Sequence, residues 1–65
     1  MNLIEGIQEE LKRCRELKVV YKSLGRVGLF GIAVINQSID RAEEAVASGD
    51  ISEMIRAHRD LKKIQ

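Results

Sequence analysis

The chain has 65 residues, and its 11 Lys and Arg nearly balance 10 Asp and Glu, so the net charge of +1 excludes a strong general attraction to DNA or to membranes. A chain this short buries only about 60% of the surface that it exposes when unfolded, and such domains usually depend on a disulfide, a metal or self-association. Cys14 is the single cysteine and His58 the single histidine, which excludes an internal disulfide and argues against a metal centre. The composition therefore predicts one domain, residues 1–65, that associates with copies of itself.

The sequence also bears on the cellular compartment. Its N-terminal stretch MNLIEGIQEEL lacks the basic region of a signal peptide. The longest uncharged run, residues 27–39, is shorter than the roughly 20 residues that span a bilayer. A lone cysteine fits a reducing environment. We therefore expect a cytoplasmic protein with no membrane partner.

The first predicted helix runs from about Asn2 to Ser23, because apolar residues recur there every three or four positions. Its inward stripe is predicted to consist of Ile4, Ile7, Leu11, Cys14, Leu17, Tyr21 and Leu24. Leu3, Val19 and Val20 lie beside that stripe, so the apolar face is wider than one partner helix needs. This width favours additional contacts between subunits.

Two further helices follow. Gly25 is predicted to take a left-handed conformation after the first helix, and a second helix runs from about Gly28 to Ser48. Its seam consists of Ile32, Ile35, Ile39, Ala42 and Val46. Gly49 suits the end of that helix, and Asp50 with Glu53 resembles a capping box at the start of a third helix. The third helix extends to about Lys63, with Ile51, Met54, Ile55, His58, Leu61 and Ile64 directed inward.

These elements predict an all-α fold, in which a helical hairpin of two long helices packs with a shorter third helix and assembles into a homo-oligomer. No group of residues in the sequence has the arrangement that catalysis requires. His58 has no acidic or thiol partner one helical turn away, and Cys14 lies on the inward stripe. We expect neither an enzyme nor a cofactor.

The segment LGRVGLFG, residues 24–31, is the feature most suggestive of function. No acidic residue occurs between Glu16 and Asp40, whereas three cations do. A helix N-terminus presents unpaired N–H groups and partial positive charge, and glycines let a ligand approach the backbone closely. These properties predict an anion site, most naturally for the phosphate of a nucleotide whose base stacks on an aromatic ring. The candidate ligand-binding residues are Tyr21, Lys22, Gly25, Arg26, Gly28, Phe30 and Gly31.

A second interpretation of the same segment stays open. Gly28 and Gly31 let another helix pack closely, and Gly25 only ends the first helix. A ligand site at a subunit junction is compatible with both interpretations. DNA is not a predicted partner, because the first turns of the second helix carry Leu29, Phe30 and other apolar residues where a recognition helix needs polar ones.

The run LGRVGLFGIAVINQSIDRAEEAVASGD, followed by MIRAHRDLK, resembles short helical proteins of phages and prophages. The residues that carry the resemblance are Gly28, Phe30, Gly31, Ile35, Ile39, Ala42, Glu43, Ala45, Ser48, Gly49, Asp50, Met54 and Leu61. Such proteins often have a proline after the first glycine of the turn, where this chain has Arg26.

The resemblance implies a protein that counters a host defence in the host cytoplasm. One mode that it implies is the sequestration of an anionic nucleotide signal by a helical oligomer. The alternative is inhibition of a host protein by direct contact through a helical face, as anti-CRISPR proteins do; a face near Arg56 and Arg59 on the third helix is a candidate. The combined prediction is nucleotide sequestration at the glycine-lined helix start, with protein docking as the alternative.

Overall fold

The computed structural model describes residues 2–65, and these form three α-helices. They are α1 (Leu3–Lys22), α2 (Arg26–Ser48) and α3 (Ile51–Lys63). The predicted all-helical fold of two long helices and a shorter third is thus confirmed. The protein measures 36 × 19 × 16 Å. Within the described residues, no helix combines the length and apolar character that crossing a bilayer would require.

Contacts between side chains define the directions of the helices. Arg15 pairs with Glu43 at 3.7 Å, and Lys18 donates a 2.7 Å hydrogen bond to Asn36. Later residues of α1 therefore meet earlier residues of α2, so the two helices are antiparallel. The chain reverses direction between α2 and α3. α3 therefore runs in the same direction as α1, and it packs against both helices of the hairpin.

α1 and α3 each have a side-chain cap at the N-terminus. The Asn2 carboxamide oxygen accepts a hydrogen bond from the Glu5 N–H at 2.8 Å, and the Asp50 carboxylate accepts one from the Glu53 N–H at 3.2 Å. Each cap satisfies an N–H group that has no partner inside its helix. The expected capping box at Asp50 is only half formed, because the Glu53 carboxylate pairs with Arg56 at 3.3 Å instead.

Glycines at positive φ form the two connections. Gly49 has φ 72° and ψ 12°, the left-handed conformation predicted for the end of α2. Gly25 also has positive φ, 69°, but its ψ of −136° lies outside the left-handed helical region, and it is the N-cap of α2. Its carbonyl already accepts from the Leu29 N–H at 3.2 Å. α2 therefore begins two residues before the predicted start at Gly28.

One core joins the three helices. Its buried residues are Ile7, Leu11, Cys14, Ile35, Ile39, Ala42, Ala45, Met54, Ala57 and Leu61. The prediction of an inward orientation is wrong for four residues, whose exposed fractions range from 46% to 60%: Ile4, Leu24, Ile51 and Ile55. Periodicity predicts which way a residue points, but burial also requires a neighbouring element at the same level along the helix axis. Ile4, Leu24 and Ile51 lie at helix ends, where that element is missing.

The end of α3 is held by an arginine of α1. Arg13 donates 2.7 Å hydrogen bonds from Nη1 to the Ile64 carbonyl and from Nη2 to the Leu61 carbonyl. The guanidinium thus satisfies the Ile64 carbonyl and is a second donor to the Leu61 carbonyl, which also accepts from the Ile64 N–H at 3.2 Å. It also places a cation at the negative end of the α3 dipole. Glu10 accepts from Arg13 Nε at 3.2 Å and orients the group. This contact fixes how far α3 extends along α1.

Candidate functional site

Two of the three glycines in residues 24–31 lie against Tyr21 of α1. A Cβ atom added at Gly28 would overlap the carbonyl oxygen of Tyr21, and one added at Gly31 would overlap its ring carbons Cδ2 and Cε2. Both glycines therefore allow close packing of α2 against α1 in the same chain. Tyr21 thus occupies the space that a side chain at either position would need, and the phosphate site stays a prediction.

Tyr21 connects three parts of the fold. Its ring lies on Gly31, its carbonyl oxygen lies beside Gly28, and its hydroxyl donates a hydrogen bond to the carbonyl of Gln65. The side chain is half-buried. Stacking of Tyr21 on a nucleotide base stays a prediction, and these contacts already give the ring a structural role.

The cationic residues of the predicted ligand site lie at the α1–α2 connection. Lys22 and Arg26 are exposed, and within residues 2–65 neither forms a salt bridge or a side-chain hydrogen bond. Gly25 is the N-cap of α2 and provides no side-chain hydrogen bond, and no acidic residue occurs in the first turn of the helix. The start of α2 therefore has two exposed cations and no negative side chain beside it.

Several large apolar side chains near this connection are exposed. Val27 and Phe30 are 81% and 78% exposed. Further exposed apolar side chains belong to Val19, Val20, Leu24, Leu29 and Val34. They fall into two groups on opposite sides of the α1–α2 hairpin, and the contacts of α3 separate the groups.

The first group lies on the side of the hairpin against which α3 packs. On α1, Arg13 contacts the end of α3, and Val20 lies seven positions later on the same side. On α2, Arg41 lines a cleft with α3, and Val34 and Val27 lie seven and fourteen positions before it. These valines therefore lie on the α3 side of the hairpin but beyond the end of α3.

Phe30 and Leu24 complete this surface. Phe30 lies on α2 between Val27 and Val34, about one turn from each. Leu24 lies in the turn after α1, and its Cβ is beside Gly28. We call the five residues Val20, Leu24, Val27, Phe30 and Val34 the open face. α3 ends at Lys63, and the residues after it reach Tyr21, but the five side chains of the open face are still 45–81% exposed.

Val19 and Leu29 lie on the other side, which we call the back of the hairpin. The Lys18–Asn36 hydrogen bond crosses the hairpin there, and Leu29 is seven positions before Asn36. Val19 directly follows Lys18 on α1. Leu29 and Phe30 are thus adjacent in sequence and similarly exposed, at 61% and 78%, yet lie on different sides of the molecule.

Cys14 and His58 occupy packed positions. Cys14 is fully buried, with Sγ 3.9 Å from the Leu61 carbonyl oxygen. Burial raises the pKa of the Cys14 thiol, and the neighbouring Arg13 guanidinium offsets this only in part. His58 is half-buried against Gly6, where an added Cβ would lie 3.0 Å from its Nε2. Both environments are those of structural side chains.

A shallow cleft of about 460 Å³ separates α2 from α3. Arg41 and Glu44 line its α2 wall, and Glu53, Arg56 and Asp60 line its α3 wall. Charges of both signs alternate, and Arg56 pairs with Glu53. The cleft therefore has no single charge that would select a ligand.

No protein-family model, no curated protein sequence and no solved structure matches this chain. The resemblance to short phage and prophage proteins stays a prediction. The open face and the cationic start of α2 are the two candidate functional surfaces.

Proposed function

We propose that this protein acts by binding another protein through the open face, without chemical turnover. The observation that supports this proposal is the contiguous exposure of five large apolar side chains, from 45% for Val34 to 81% for Val27. Water contact with such a surface is unfavourable, and a partner that covers it gains the hydrophobic free energy of that burial. A host protein is the partner that the resemblance to phage proteins implies.

The composition of the open face is that of a protein-binding surface. Its five apolar residues are 45–81% exposed, and large exposed apolar patches on a monomer are often functional. None of its five residues is charged, and Phe30 is aromatic. The cores of protein interfaces are depleted in charge and enriched in aromatic anchors.

Site-specific photocrosslinking tests the proposal. We expect p-benzoylphenylalanine in place of Phe30 to form covalent protein adducts when cells producing the protein are irradiated. The same probe in place of Leu29 is the matched control, because this neighbour is also exposed but lies on the back of the hairpin. Equal adduct yields at the two positions, or none at either, would contradict binding through the open face.

Nucleotide sequestration is a second candidate function. It is supported by the uncapped start of α2, where Lys22 and Arg26 are exposed and no acidic residue occurs in the first turn. Phosphate groups favour such positions, since free N–H groups and cations both interact with negative charge. A ligand here would use the outer surface of the turn, because Tyr21 fills the space beside Gly28 and Gly31.

For this candidate, we expect Arg26→Ala to weaken nucleotide binding about tenfold or more, since one charge-assisted hydrogen bond contributes roughly 1.5–3 kcal/mol. Calorimetric titration with a mononucleotide and with a cyclic dinucleotide measures the effect. Arg56→Ala is the control, because it removes an equally exposed cation from α3. If neither nucleotide binds to the parent protein, nucleotide sequestration is not its function. Gly31→Ala is unsuitable as a test, because the added methyl group would strike Tyr21.

A further inference from the structure

We infer that the occupant of the open face is a second copy of this chain, so that the protein forms a symmetric dimer in which the first halves of two α2 helices pack antiparallel across Phe30. This inference rests on the proposed function, because it names the partner of the same surface. Its support comes from the symmetry of the open face, its area and its charge.

The order of residues along α2 fits a twofold axis. Phe30 lies nearly midway between Val27 and Val34 on one side of the helix. An axis beside Phe30 therefore brings the Val27 of each copy opposite the Val34 of the other, and the two Phe30 rings meet near the axis. A twofold interface requires the same patch on both subunits to be complementary to itself. Val20 of α1 and Leu24 in the turn after it extend this patch on one edge.

The protein exposes more surface than a compact monomer of its size. A compact monomer of 7.3 kDa exposes about 4,200 Å². This chain exposes 4675 Å², and the residues of the open face are among its most exposed apolar ones. An interface of standard size buries roughly 800 Å² on each partner, so the contact would extend from the open face to exposed neighbours such as Ala33 and Gln37.

The absence of charge within the open face allows a second copy to cover it. A charged patch would repel its own copy, but all five residues of the open face are uncharged and apolar. The net charge of +1 provides little attraction to an anionic lipid surface. A chain of 65 residues also has a small core of its own, and burial of the open face enlarges the apolar area removed from water.

Sedimentation equilibrium on the parent, Phe30→Glu and Leu29→Glu tests the inference. We expect the parent at micromolar concentration to have twice the mass of the 7.3 kDa chain. Phe30→Glu should weaken dimerisation at least about thirtyfold, as expected for a central aromatic anchor replaced by a charge. Leu29→Glu should dimerise like the parent. Both substitutions are at exposed helical positions, and circular dichroism verifies that the variants keep the parent's helix content.

Three results would overturn the inference. The first is a parent that stays monomeric up to millimolar concentration; crosslinks to a different protein from position 30 and not 29 would then leave the proposed function intact. The second is equal dissociation by Leu29→Glu and Phe30→Glu, which would place the contact outside the open face. The third is a monomeric parent that floats with anionic phosphatidylserine vesicles and loses this binding in Phe30→Glu but not in Leu29→Glu, which identifies a lipid surface as the occupant.

Discussion

Gly28→Ala is expected to lower the free energy of unfolding by about 2–3 kcal/mol, although alanine is the better helix former by about 1 kcal/mol. The added methyl group would overlap the carbonyl oxygen of Tyr21, which is part of the backbone of α1 and cannot rotate away. The helices must therefore separate where they are closest. Urea unfolding followed by circular dichroism at fixed protein concentration measures the change.

Gly31→Ala is the matched control, because its methyl group would meet the ring of the same tyrosine. A ring can be removed by mutation, so in a Tyr21→Ala background Gly31→Ala should become neutral or stabilising, by up to about 1 kcal/mol. Gly28→Ala should stay destabilising in that background, since residue 21 keeps its carbonyl. A neutral Gly28→Ala in the parent would show that α1 and α2 do not approach as closely as described.

Arg13→Ala is expected to lower the free energy of unfolding by about 2 kcal/mol and to loosen the end of α3. The substitution removes two charge-assisted hydrogen bonds of 2.7 Å, to the carbonyls of Leu61 and Ile64. Bonds to charged groups contribute about 1.5–3 kcal/mol each, and we reduce their sum because the side chain is 40% exposed. Urea unfolding gives the magnitude, and hydrogen exchange at the amides of residues 61–64 localises the effect.

Two conservative variants show whether the paired hydrogen bonds of the Arg13 guanidinium account for the loss of stability. Arg13→Lys keeps the charge but cannot donate two hydrogen bonds in parallel, so it should recover at most half of the loss. Glu10→Gln keeps most of the packing and an oxygen that can accept from Arg13 Nε, so it should change stability by less than about 1 kcal/mol, although the Glu10 side chain is only 17% exposed. Full recovery by lysine would mean that charge near the helix end, and not the paired hydrogen bonds, holds α3.

The sequence alone determined the helices of this protein and most of its core. Apolar residues at steps of three and four indicate the buried side of each helix, as for Ile7, Leu11 and Cys14 on α1. Gly49 and Asp50 mark the junction of α2 and α3, because a positive φ and a side-chain cap are local requirements. Such signals depend on neighbours along the chain, so they can be recognised without a tertiary structure.

The sequence left the purpose of the glycines open. A glycine within a helix indicates close approach of some other group, but its spacing does not say whether that group is a ligand, another subunit or the same chain. The tertiary structure places Tyr21 beside both Gly28 and Gly31. Only the antiparallel packing of α2 on α1 brings these residues together, because they are seven and ten positions apart in sequence and in different helices.

The exposure of the open face also depends on the tertiary structure. Val27, Phe30 and Val34 have the spacing of a buried helical stripe, and sequence alone cannot distinguish a covered stripe from an exposed one. Their exposure depends on where α3 ends relative to the hairpin, and the bonds from Arg13 to the last carbonyls of α3 set that level. Periodicity fixes the side of a helix on which a residue lies, whereas burial depends on whether another element extends over it.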